Sequence, residues 1–310
     1  MQNSFDKKTI AISIGDLNGV GIEIALKAHA EVAKICKPLY CINSYMLHQA
    51  CELLDITPPS DFEIFKVDGS FNIKEGCVEA DAGRYSYDSF LSAIKLCEAK
   101  KADAVVTLPI HKEAWMLCGL KYKGHTDLLR DYFKKDAIMM LGCERLFVAL
   151  YTEHIPLREV ASHITKNGLL HFFLDLNRAI GDKQFGVLGL NPHAGDNGVL
   201  GDEEKIIEAA IEEANKSIGK EVFVGALVPD TAFTPHARER FSHFVAMYHD
   251  QGLAPLKALY FDESINVSLN LPIIRTSVDH GTAFDIAYQG KASTLSYMNA
   301  IKSAIEFATI

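Results

Sequence analysis

Short apolar runs recur along this chain, and most are followed by glycine, proline or charged residues and then by a segment with helical spacing. KTIAISIG (residues 8–15) reads as a buried strand and GVGIEIALKAHAEVAKI (19–35) as the helix after it. PLYCINS and YMLHQACELL repeat the pair, TPPSDFEIF marks a loop, and Gly83 to Lys100 has apolar residues at helical spacing before the strand ADAVVTLPI. LFVALYT, FGVLGLN, VFVGALV and HFVAMYH continue as strands. Helices are expected over REVASHITKNGLLHFFLDLNRAI (158–180) and over DEEKIIEAAIEEANKSI (202–218), the latter with Asp202 as N-cap. The apolar pieces ALYF (258–261) and VSLNLPII (267–274) read as buried strand. Strand followed by helix, repeated, predicts an α/β fold with a mainly parallel sheet.

Composition narrows the function classes. A chain of 310 residues can bury a large core and form two lobes. It is 48% hydrophobic and 23% charged, as soluble globular proteins are. A net charge of −9 offers no basic face to nucleic acid, although local Lys and Arg can still bind a phosphorylated metabolite. The N-terminus lacks the apolar stretch of a signal peptide, and no run is long enough to span a membrane, so a cytoplasmic protein is expected. Seven cysteines without a CxxC pair read as reduced, mostly buried thiols.

The residues that suggest chemistry concentrate between Tyr248 and Asp285, where His249, Asp250, Lys257, Asn266, Arg275, Asp279 and His280 alternate with apolar segments. His154 and His193 likewise lie just past LFVALYT and FGVLGLN. Ligands gather at the carboxyl ends of parallel strands, and three imidazoles suit a divalent transition metal. The same spacing also suits three unrelated histidines, since no tight HxxxH pair joins them. The turn GDLNGVGIE (15–23) lets backbone approach a ligand, yet matches neither GxGxxG nor a P-loop and serves equally as a tight structural turn. TLPIHKEAW and GHTDLL supply Thr107, Lys112, His125, Thr126 and Asp127 for a polar substrate; Thr126 also suits a helix cap. Arg275 fits bidentate recognition of phosphate or carboxylate, and Lys257 fits a charge clamp or an acid/base role. DHGTAFDIA (279–287) offers Asp285 to a ribose or adenine, or as the cap of a helix over AFDIAYQGKA.

Taken together, GDLNGVGIE, TLPIHKEAW, GHTDLL, TEHIPLREV, LNPHAGDNGVLGDEE, LVPDTAF, YHDQGLAPLKAL and NLPIIRTSVDHGTAFDIA resemble the 4-hydroxythreonine-4-phosphate dehydrogenase family of pyridoxal phosphate (vitamin B6) biosynthesis, in family order from about residue 10 to residue 300. The resemblance implies an isocitrate/isopropylmalate dehydrogenase-like fold of two α/β lobes with a central cleft. It places an outer lobe at 1–108 plus 272–310 with the cofactor loop, and an inner lobe at 109–271 with the metal ligands and dimer interface. It implies oxidation of 4-phosphohydroxy-L-threonine by NAD or NADP to a 3-keto acid, which decarboxylates to 3-amino-2-oxopropyl phosphate. By the same resemblance His154, His193 and His249 hold one divalent ion (zinc, magnesium, cobalt or similar). His125, Thr126, Lys257, Asn266 and Arg275 bind substrate, and Gly281, Thr282, Ala283 and Asp285 bind the cofactor. Lys257 and Asp250 are the expected proton-transfer residues. Members are homodimers with the active site at the subunit interface; neither nucleic acid nor membrane is an expected partner. Leu17 and Ile22 stand where the family usually has proline, so a less rigid first loop is expected; Asn270 and Tyr288 stand where it usually has glycine, and a different local backbone is expected there. Three rivals remain at this point: a dehydrogenase of 4-phospho-threonate or a cyclic diol, a metal-dependent hydrolase, and a non-catalytic metabolite-binding protein, against which the dense polar set speaks.

Overall fold

The computed structural model describes residues 7–181 and 183–309. Residues 1–6, the start of the stretch read as lacking a signal sequence, lie outside the described residues. In chain order the elements begin with β1 (Thr9–Ser13), α1 (Gly21–Ile35), β2 (Lys37–Cys41), α2 (Ser44–Leu53), β3 (Ile64–Phe65), α3 (Ala80–Glu98), β4 (Ala104–Thr107), α4 (Lys112–Leu117) and α5 (His125–Phe133). They continue with β5 (Ile138–Cys143), β6 (Leu146–Leu150), α6 (Val160–His163), α7 (Lys166–Ile180), β7 (Phe185–Leu188), α8 (Glu203–Ile218), β8 (Phe223–Leu227), α9 (Pro235–Arg240) and β9 (His243–Ala246). The last are α10 (His249–Tyr260), β10 (Ile265–Leu269), β11 (Arg275–Val278) and α11 (Leu295–Phe307).

The chain folds as two compact units. The first runs through Lys135 and takes in Ile265–Val267 and Leu271–Thr309; the second comprises Asp136–Ser264 and Ser268–Asn270. Residues 109–135, which the family resemblance assigns to the inner lobe, therefore pack within the first unit. In that unit the strand order β3-β2-β1-β4-β11 is parallel throughout. Strands covered on both faces need continuous apolar sequence, and every residue of β4 is buried accordingly. Gly83 of α3 lies against the backbone of Ala114 in α4, so any side chain there would push the two helices apart. The second unit carries the order β5-β6-β9-β7-β8, parallel except for the β5–β6 pair.

The structure departs from the sequence pattern in several places: VSLNLPII is strand only to Leu269, where left-handed Asn270 ends β10 before β11 starts at Arg275. The helix expected over 158–180 is broken after α6: Thr165 caps α7, its side chain accepting from the Gly168 amide at 3.2 Å. ALYF is the last turn of α10, whose Leu256 and Tyr260 are buried while Leu259 and Phe261 face solvent; four apolar residues in a row do not distinguish strand from helix. AFDIAYQGKA forms only a short 3-10 turn, Phe284–Ile286. Asp202 does occupy the N-cap of α8, but its side chain makes no capping bond.

Asn270 and Tyr288 both adopt φ of 60°, the left-handed region that glycine enters freely. Each is tethered by its side chain. Asn270 donates to the Asp136 carbonyl and to Asp175 Oδ2, both at 3.0 Å. Tyr288 donates from its hydroxyl to the Leu17 carbonyl at 2.6 Å. Positive φ is thus held at both positions by residues other than glycine.

Candidate functional site

In the first unit the loops following β1, β4 and β11 meet. The Asp16 amide donates to the Pro109 carbonyl at 2.8 Å, and the Val20 amide to the Thr282 carbonyl at 3.0 Å. Gly19 lies directly against Thr282, and Gly76 against the Phe284 carbonyl. His111 stacks on Phe284 with ring centres 4.9 Å apart and planes 14° from parallel. The loop bearing Gly281, Thr282, Ala283 and Asp285 is therefore seated on the glycine-rich turn. Thr282 is buried, Gly281 and Asp285 face solvent, and Ala283 is left-handed at φ 43°.

Arg275, at the start of β11, is 3% exposed and donates to Thr107 Oγ1 from Nε at 3.1 Å and Nη2 at 2.7 Å. Burial pushes its pKa down to about 9, which leaves the guanidinium charged at neutral pH. His125 opens α5 beside it. Gly124, not Thr126, takes the N-cap position, and Thr126 lies in the first turn. The His125 ring meets the edges of Phe90 (4.7 Å) and Trp115 (5.7 Å), and its buried Nε2 has no hydrogen-bond partner. Burial, then the Arg275 charge, holds its pKa well below the usual imidazole range, so the ring is neutral. Asn266 Oδ1 on β10 is likewise buried without a partner. Unsatisfied buried polar atoms are rare in folded proteins, and His125 and Asn266 each carry one.

Asp16 was not singled out from sequence, although it sits in a turn that was. It is fully buried; Oδ1 accepts from the Asn18 amide at 2.9 Å while Oδ2 has no partner. Burial raises its pKa to about 6. A carboxyl whose folded pKa lies above its unfolded value of 3.8 binds its proton more tightly when folded, so it destabilises the protein progressively from pH 4 to 6 and fully above. Asp16→Asn, which keeps the acceptor for Asn18, is expected to gain about 3 kcal/mol at pH 8 and nothing at pH 3.5. Urea unfolding at the two pH values checks this, and equal gains at both would refute it.

In the second unit the three predicted metal ligands lie past β6, β7 and β9. His249 begins α10, and its Nδ1 is 2.7 Å from Asp250 Oδ1, an arrangement that orients the ring. The His154 and His249 ring centres are 5.3 Å apart. With metal–nitrogen bonds of about 2.1 Å, two imidazoles at a tetrahedral angle bring their ring centres to about this separation, so the pair fits one shared ion. His193 is solvent-exposed and opens a run of left-handed residues, His193 to Asn197, with φ between 43° and 76°. Among the described residues no three His, Cys, Asp or Glu side chains are gathered closely enough to hold a metal. Two of the expected three histidines adjoin. Lys257 lies in the last turn of α10, half-buried, with Nζ 5.7 Å from the Phe261 ring centre. All seven cysteines are free; four are buried and Cys77 alone is exposed. No helix among the described residues is long and apolar enough to cross a membrane.

The sequence profile of the family described as "Pyridoxal phosphate biosynthetic protein PdxA" matches residues 34–304. The chain belongs to this family. A relative from Sulfurimonas denitrificans, named 4-hydroxythreonine-4-phosphate dehydrogenase, is 73% identical over 299 residues, covering 96% of this chain and 97% of its own length. A relative of the same name from Campylobacter fetus is 58% identical over 298 residues, covering 96% of this chain and 97% of its own. The crystal structure of 4-hydroxythreonine-4-phosphate dehydrogenase from Klebsiella pneumoniae superposes with a TM-score of 0.84 at 33% identity, covering 98% of this chain and 99% of that one. A terephthalate 1,2-cis-dihydrodiol dehydrogenase from Burkholderia xenovorans shares the fold at TM-score 0.71 and 24% identity. The fold class expected from sequence, two α/β units of the isocitrate/isopropylmalate dehydrogenase type, holds for this PdxA-family chain.

Proposed function

We propose that this chain oxidises 4-phosphohydroxy-L-threonine, with a nicotinamide nucleotide as hydride acceptor, to a 3-keto acid that loses carbon dioxide and leaves 3-amino-2-oxopropyl phosphate. The relatives named above carry the corresponding activity in their names. The observation within the chain that best supports a phosphorylated substrate is Arg275. A buried guanidinium at a strand, beside a neutral imidazole, suits a phosphate dianion far better than an apolar ligand.

The substrate's C–H electron pair leaves as hydride to the nicotinamide ring, and its hydroxyl proton goes to a base. Arg275, His125 and Thr126 orient the phosphate end, while Asn266 holds a neighbouring polar group. Lys257 and Asp250 are the groups that accept and return protons. The loop Gly281, Thr282, Ala283 and Asp285 seats the nucleotide: Gly281 has open space above its backbone, and Asp285 presents an exposed acceptor for a ribose hydroxyl. His154, His193 and His249 would hold a divalent ion, which would supply Lewis acidity. The adjoining pair His154 and His249 supports that assignment. Exposed Leu157, Val199 and Leu200, close in sequence to His154 and His193, suit burial by a second subunit and a homodimer with the site at its interface.

The test is reduction of NAD and of NADP, followed by absorbance, with 4-phosphohydroxy-L-threonine, 4-phospho-threonate and a cyclic diol, each with zinc, magnesium or cobalt. Turnover fastest on 4-phosphohydroxy-L-threonine is expected. Fastest turnover on another substrate, or metal-dependent turnover without nicotinamide reduction, would overturn the reading.

A further inference from the structure

One line of hydrogen bonds passes through the three strand ends that bear His154, His193 and His249. Thr152, two residues before His154, donates to the Met247 carbonyl from its hydroxyl at 2.6 Å and from its amide at 3.2 Å. That fastens the end of β6 to the end of β9. Gln251, two residues after His249, then bridges outward: its Oε1 accepts from the Met247 amide at 2.7 Å and its Nε2 donates to the Gly189 carbonyl at 2.7 Å. Gly189 is where β7 gives way to the loop of His193. Glu204 of α8 holds the next two residues, Oε1 accepting from the amides of Leu190 at 2.8 Å and Asn191 at 2.7 Å, while Oε2 accepts from Asn191 Nδ2 at 2.9 Å. Burial raises the Glu204 pKa, but these bonds outweigh it and hold the carboxyl ionised below the usual range. Gly195 and Gly201 lie so close to Glu204 and Asn191 that no side chain fits at either position.

We infer that Gln251 is a positioning residue that fixes the His193 loop relative to His249, with Glu204 as the clamp on that loop. The inference rests on the proposal that these histidines hold a divalent ion. An amide is the side chain the bridge requires, because one end must accept from an N–H and the other must donate to a carbonyl. The Met247 bond alone has a plainer role, since Gln251 stands at the third position of α10 and reaches back over the helix start as a capping side chain does. The Gly189 bond lies outside that role. It ties α10 to a loop sixty-two residues earlier in the chain, whose third ligand lies only two residues beyond the clamped Asn191.

Gln251→Glu separates the two roles: a carboxylate still accepts from Met247 and suits a helix start, but it has no proton for Gly189. Gln251→Met removes both bonds without adding charge. Cobalt(II) titration of the full-length wild type, both variants and His193→Ala, read by visible absorption, measures affinity and coordination together, and thermal unfolding reports the cap. Both Gln251 variants are expected to bind cobalt about 10- to 100-fold more weakly with an altered spectrum. Gln251→Glu should melt near the wild type. Wild-type cobalt binding in both variants, alongside weakened binding in His193→Ala, would overturn the positioning role and leave Gln251 a helix cap. Wild-type binding by His193→Ala would instead overturn the metal assignment on which the inference stands.

Discussion

Arg275→Met is expected to raise KM for the phosphorylated substrate by about 100- to 1,000-fold while leaving unfolding free energy within about 1 kcal/mol of the wild type. The two effects separate because they have different origins. Bonds from a guanidinium to an anion contribute about 1.5–3 kcal/mol each, and a bidentate contact makes two. In the unliganded protein the guanidinium is 3% exposed, so the cost of desolvating its charge offsets most of what its bonds to Thr107 Oγ1 contribute, and an apolar side chain of similar length replaces it at small net loss. Arg275→Lys retains the charge but not the planar fork, and an intermediate KM is expected. Steady-state kinetics with urea unfolding on the same preparations gives both readouts. A drop of several kcal/mol in stability with KM unchanged would make Arg275 a structural residue.

The second large effect falls on the paired imidazoles. His249→Ala and His154→Ala are each expected to lower kcat/KM on the order of 1,000-fold or more and to weaken zinc or cobalt binding, measured calorimetrically, with the fold retained by circular dichroism. Half-burial of His249 and solvent exposure of His154 argue against a collapse of the core. Asp250→Asn removes a proton-transfer group but keeps an oxygen within reach of His249 Nδ1, so kcat/KM should fall while zinc or cobalt binding changes little. Full activity in His249→Ala with no metal in the purified protein would exclude the metal role.

Much of the architecture was legible because buried parallel strands leave a plain trace. β1, β4 and β6 are continuous apolar runs ending at glycine or polar residues, and that is what strands covered on both faces require. Elements set by side-chain capping were not legible. Thr165 ends one helix and starts another inside a segment of unbroken helical spacing, and ALYF is apolar without being strand. Among site residues, His249 and Arg275 announced themselves by following apolar segments. Gln251 lay inside the same polar run but carries no charge and shows its role only through contacts at either end. Glu204 reads in sequence as first-turn acidity of α8, and only the fold turns its carboxylate toward Leu190 and Asn191. Asp16 was hidden for another reason: a fully buried carboxylate is uncommon enough that a glycine-rich turn predicts exposure instead.

The left-handed Asn270 and Tyr288 alter the unfolded chain as well as the folded one. Where a relative carries glycine, its denatured state roams a wider range of backbone conformations and gives up more freedom on folding, by roughly 0.4–1 kcal/mol. Non-glycine residues narrow that range, and this gain offsets about half of the roughly 1–2 kcal/mol strain of a left-handed residue. The tethers to Asp136, Asp175 and Leu17 offset the remainder. At these two turns the chain has exchanged a freely hinged joint for one held by a side chain, at little change in the equilibrium between folded and unfolded forms.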